Sequence, residues 1–125
     1  MKPIFFLREK IPHQLHTLTA SLDMDGNLAF DDSVASDAGR EVDDYLLVRA
    51  EQKSRVLFCL SRAFDGIADT CGEAADDRLF CMLDRMARSG HWKSLDQVET
   101  WLMDRGVPFI KKNGLLVNKS SVPKV

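Results

Sequence analysis

From Thr17 to Met24 the chain alternates. Leu18, Ala20, Leu22 and Met24 fall on one side, and Thr17, Thr19, Ser21 and Asp23 on the other. Only extended backbone puts every second residue on one face, so the pattern predicts a half-buried strand over 15–24. Asp25-Gly26-Asn27 is a turn signal, and Leu28-Ala29-Phe30 continues as a second strand. A two-residue loop would set Asp23 against Leu28. A three-residue loop sets Met24 against Leu28 and Leu22 against Phe30, all on one face. A single buried face selects the three-residue loop, with Gly26 or Asn27 at positive φ.

The remainder separates into strands, helices and strands. Residues 31–41 read as a loop, and Asp44-Tyr45-Leu46-Leu47-Val48-Arg49 as a third strand. Val56, Leu57, Leu60 and Phe64 recur at helical spacing across 51–65, with Gly66 at the end. Leu79, Phe80, Met82, Leu83 and Met86 do so across 74–89, with Gly90 as a stop. Ser94 and Gln97 form a capping box for a third helix, which carries Leu95, Val98, Trp101 and Leu102 and closes at Gly106 and Pro108. Asn113-Gly114 between apolar runs predicts a hairpin over 109–117, with Ile110 opposite Val117. The expected architecture is α+β: an antiparallel sheet from the N-terminal hairpin and third strand, two or three packed helices, and a C-terminal hairpin. Trp101, Leu102, Leu83, Leu60 and Leu22 should be core.

With 125 residues, 45% of them hydrophobic and 29% charged, the chain fits one folded domain over 1–125 with a frayed tail at 119–125. The apolar runs are too short to span a membrane. The patch Ile4-Phe5-Phe6-Leu7 is too short for a secretory segment, so it belongs to the fold. Cys59, Cys71 and Cys81 are odd in number and lack CxxC spacing; read as reduced thiols, they indicate a cytoplasmic protein.

Candidate chemistry is sparse. Leu22-Asp23-Met24-Asp25-Gly26-Asn27-Leu28 resembles the signature of haloacid-dehalogenase-type phosphatases, a resemblance that would make Asp23 the nucleophile and Asp25 the general acid. That family places the pair after an apolar parallel strand. Here the preceding strand alternates with Thr and Ser, Asn27 replaces Thr, and no βαβ unit follows. His13 and His16 alone do not make a metal site. The acids Glu73, Asp76 and Asp77 suit a helix N-terminus. No catalytic set, cofactor motif or metal pattern emerges, so the chain reads as a binding protein.

Charge carries more information. Residues 21–47 hold eight acids against one base, Arg40, while residues 105–125 hold five bases and no acid. An acidic patch steers basic partners. The order Leu-x-Asp-Gly-Asn-Leu, an acidic stretch, Glu41-Val42-Asp43-Asp44-Tyr45-Leu46-Leu47-Val48, then a helix with Val56, Leu57 and Leu60 resembles small bacterial immunity proteins over about residues 15–64. The resemblance implies a cytoplasmic antidote that occludes the active site of a cognate toxin, such as a basic nuclease domain. The acids facing that partner would be Asp31, Asp32, Asp37, Asp43 and Asp44, with Tyr45 as an aromatic anchor if exposed. As an alternative, the capped helix and basic Asn-Gly segment resemble the end of a winged-helix domain with Lys111 and Lys112 on the wing. A pI of 5.9 and the acids Asp96, Glu99 and Asp104 on the third helix make that a poor nucleic-acid surface.

Overall fold

The alternating run does form a strand, within a larger sheet than its pattern announces. The computed structural model describes residues 2–63 and 74–118. Its strands are β1 (Ile4–Ile11), β2 (Gln14–Leu22), β3 (Leu28–Ser36), β4 (Arg40–Val48) and β5 (Ile110–Asn118). Its helices are α1 (Lys53–Ala63), α2 (Ala75–Ser89) and α3 (Leu95–Asp104). The strands lie side by side in chain order, each antiparallel to its neighbour. The protein is therefore α+β, with the helices inserted between β4 and β5. Phe64, Gly66, Cys71, Glu73 and the expected tail at 119–125 lie outside the described residues.

The helices cover one side of one end of the sheet. α2 packs on β1, α3 packs on β3 and β4, and α1 packs on α2. Beneath them the cross-strand rows Ala20–Phe30–Leu46 and Leu28–Val48 are fully buried. Val56, Leu60, Leu83, Val98 and Leu102 complete this core with no exposure. Trp92 joins sheet to helices: its ring centroid lies 5.5 Å from Phe6, 5.8 Å from Phe30 and 5.3 Å from Trp101. Such tilted and edge-on pairs add to the area each ring removes from water. Leu22 packs at the edge of the core and is only partly buried.

The helix ends follow their local chemistry. Gly90 caps α2 at φ 73°, and Ser94 and Gln97 make the reciprocal capping box of α3. Along the opposite end of the sheet the helical cover runs out, and Val42 and Ile11 on the same side are 43% and 39% exposed.

Several expectations are corrected. Residues 31–41 are not a loop. Asp31 to Ser36 continue β3, and Arg40 to Asp43 begin β4. Pairing with a strand on each side outweighs the low strand preference of aspartate. The β2–β3 connection runs from Asp23 to Asn27, so Leu22 faces Leu28 and Ala20 faces Phe30; Met24 is fully exposed. Asp23 causes the difference. Its carboxylate accepts the Asp25 and Asn27 backbone N–H groups at 2.9 Å and the Asn27 amide at 3.0 Å. This side-chain-closed turn takes two residues from the strand ends. Gly26 has the expected positive φ, 78°.

Asn113-Gly114 is a bulge within the single strand β5 rather than a hairpin turn. Lys112 pairs with Tyr45 and Leu115 with Asp43, so two residues of β5 oppose Asp44. Gly114, at φ 66°, supplies the left-handed conformation that a bulge of this kind needs. Lys111 and Lys112 thus lie along a strand and not on a projecting turn. A second bulge, in β1, turns both Phe6 and Leu7 inward and masks the alternation there.

Cys59 is free and half-buried, whereas Cys81 is disulfide-bonded. The thiols therefore do not point to a reducing compartment. Among the described residues no helix is long and apolar enough to cross a membrane.

Candidate acidic groove at the open end of the sheet

The five acids singled out by charge, and Tyr45 beside them, all lie on one hairpin, β3–β4, but not on one surface. Strand alternation splits them. Asp32 and Asp44 face each other on the helix side of the sheet. Asp31, Asp43 and Tyr45 stand on the opposite side. Asp37 sits in the turn between the strands.

The acids have internal partners. Asp32 Oδ1 lies 2.6 Å from His16 Nε2, and Asp37 Oδ2 lies 3.0 Å from His13 Nδ1. Asp44 Oδ1 accepts the Gly114 N–H at 2.6 Å and so closes the β5 bulge. The Tyr45 hydroxyl donates to Asp43 Oδ2 at 2.8 Å. His13 and His16 are thereby engaged with carboxylates of β3 and its turn.

Asp43 is the most unusual of the set. It is 2% exposed, and its Oδ1 is buried without a hydrogen bond. Burial pushes its carboxyl above the ordinary aspartate range, while the Tyr45 and Ser33 hydroxyls pull it back. Burial also raises the Tyr45 phenol, and the Asp43 hydrogen bond adds to that rise. Tyr45 is half-buried and tied down, so the geometry does not offer it as a free aromatic anchor.

The helix side holds a polar groove where the cover ends. Its cavity measures about 320 Å³ and is lined by Asp32, Asp44, Ser94, Leu95, Asp96, Lys111 and Asn113. β3 and β4 supply Asp32 and Asp44 through register. The first turn of α3, fixed by the capping box, supplies Asp96. Lys111 is held at its edge by Glu99 at 2.9 Å; that hydrogen bond raises the ammonium's pKa first, and Asp96 and Asp44 add to it. Three carboxylates from three elements thus surround one cavity, and the nearby lysine is directed to Glu99. Among the described residues no three His, Cys, Asp or Glu side chains are placed to hold a metal ion. The groove suits a cationic side chain, which carboxylates can meet from several directions.

Asp96 is absent from the sequence-derived set. Its position in the first turn of α3 explains it as a helix-dipole acid. The packing of α3 on β3 and β4 brings that turn to the cavity beside Asp44.

The phosphatase-like pair has a structural use. Hydrogen bonds from the Asn27 side chain, then its backbone, hold the Asp23 carboxyl below the usual range. The strand before it, β2, is antiparallel to both neighbours. His91 Nδ1 lies 2.8 Å from Ser89 Oγ beside the end of α2.

Comparison of the chain with protein-family models, curated proteins and solved structures finds no match.

Proposed function

We propose that this protein is a protein-binding module whose recognition surface is the acidic groove of Asp32, Asp44 and Asp96, and that it acts as an immunity protein. The observation that carries this reading is the convergence of three carboxylates from β3, β4 and α3 on one cavity of side-chain size. A lysine or arginine of the partner enters the groove. The partner is a basic protein surface, as a nuclease toxin's active site is, and the domain neutralises it by covering that surface. No catalytic role is assigned to any residue, and no cofactor is required.

The acids serve specificity and association rate as well as affinity. Complementary charge accelerates encounter, and like-charged surfaces are repelled. Ser94 and Leu95 give the groove a rigid wall, because the capping box fixes the start of α3.

The test is neutralisation. The protein encoded beside this chain's gene is expressed in a laboratory host with and without this protein. Growth arrest relieved by the wild type but not by the D32N/D44N/D96N variant supports the reading. A neighbour that is harmless, or whose toxicity this protein leaves unchanged, contradicts the immunity role. The immunity role calls for a cytoplasmic address, against which the disulfide-bonded Cys81 counts; that disulfide found intact in cell extracts indicates export instead.

A further inference from the structure

The groove uses one side of the sheet; the other side has an order of its own. Strand register sets Arg8, Thr17, Ser33 and Asp43 in one cross-strand row. The next row is Lys10, Leu15, Ala35 and Glu41. Across the four strands β1 to β4, each row begins with a cation and ends with a carboxylate, and β5 carries the rows on to Leu115 and Val117. Between cation and carboxylate lies a depression of about 250 Å³ walled by Phe5, Arg8, Leu15, Thr17, Ser33 and Glu41, among others of the strands, with no helix residue in its wall. Phe5 is 48% exposed at its edge.

We propose that this face is the contact of a two-fold homodimer, two sheets packed face to face. The charge pattern selects a second copy of the chain as the occupant. A two-fold axis parallel to the strands, between β2 and β3, lays β1 of one copy over β4 of the other without changing rows. Lys10 then faces Glu41 of the second copy, and Glu41 faces its Lys10. Arg8 comes over the row end where Asp43 lies beneath the surface. Thr17 meets Ser33, and the apolar Phe5 and Leu15 lose water at the interface. A surface with one sign at each end of a row is complementary to itself under this rotation, as a two-fold contact requires.

The size is adequate. Strands of about nine residues at roughly 3.3 Å per residue, with the four overlapping strands β1 to β4 abreast at roughly 4.8 Å each, span roughly 30 by 20 Å. Two such faces bury on the order of 1,200 Å² together, the lower edge of a specific interface. The expected dimer is therefore modest and salt-sensitive. The acidic groove is on the other side of each sheet, so dimerisation leaves it open.

Sedimentation velocity at low salt tests this. The wild type should show a concentration-dependent monomer–dimer equilibrium that shifts to monomer as salt rises. K10E and E41K should each weaken it about tenfold or more, because each variant sets like charges opposite one another twice. K10E mixed with E41K should dimerise again, as should the K10E/E41K double variant, since both arrangements restore opposite signs. That rescue separates an interface effect from misfolding, which mixing cannot repair. A wild type that stays monomeric at its highest soluble concentration overturns the proposal, as do single variants that dimerise like the wild type or a mixture that fails to recover.

Discussion

The two ends of the β3–β4 hairpin differ sharply. At one end, Leu28, Phe30, Leu46 and Val48 lie under the helices with no exposure. At the other, the same side of the same strands carries Asp32 and Asp44, then a 43%-exposed Val42. One pair of strands therefore does two tasks. The covered end holds the sheet and helices together; the uncovered end presents charge on a rigid frame. A loop with the same acids would lose more conformational entropy on binding.

The comparison predicts that damage at the covered end is the most costly to stability. Trp92→Ala removes the ring shared by Phe6, Phe30 and Trp101 and should destabilise the fold by about 3–5 kcal/mol in urea denaturation. A loss below about 1 kcal/mol would mean that the cluster does not join the two layers. At the open end, Gly114→Ala should cost about 1–2 kcal/mol. The space around Gly114 is open, but its φ of 66° strains an alanine. An unchanged denaturation midpoint would show that β5 does not bulge there.

The smallest effect has a pH signature. Burial raises the folded-state pKa of Asp43 above its unfolded value. Its protonated form is thus favoured by folding, a contribution present at acidic pH and lost as pH rises through the raised value. Asp43→Asn keeps an acceptor for Tyr45 and removes the buried charge. It should be neutral to stabilising by up to about 1 kcal/mol at pH 7, with the advantage vanishing near pH 3. Denaturation of both proteins at the two pH values checks the sign; a variant less stable at pH 7 than at pH 3, relative to wild type, would reverse it.

The covered end was legible in the sequence, and the open end much less so. Alternation at Leu18, Ala20 and Leu22 and helical spacing at Leu79, Leu83 and Met86 report burial directly, because water exclusion selects those residue types. The capping box at Ser94 and Gln97 is wholly local and forms as written. β3 also keeps its period through Leu28, Phe30 and Val34, with Asp32 in place of an apolar residue where the helices stop. That substitution reads as a loop until the missing cover is known. Asn113-Gly114 needs positive φ in a hairpin and in a bulge alike. What distinguishes them is whether the following residues pair with the preceding ones or with β4, which is long-range information. Asp23 reads from the sequence as the polar face of the first strand; its carboxylate bonds, which draw it into the turn and lengthen the connection, were not legible. The groove was half legible: Asp32 and Asp44 stood out by charge, while Asp96 required the placement of α3.

The most direct measurement compares the two sides of the sheet by titration calorimetry against the proposed toxin partner, inactivated by mutation. D32N/D44N/D96N keeps the acceptors used by His16 and Gly114 and removes three charges from the groove. Its affinity should fall about tenfold or more, with greater loss at low salt than at high. E41K, altered only on the opposite side, should bind like wild type. Full affinity in the groove variant together with loss in E41K would contradict the groove as the recognition surface.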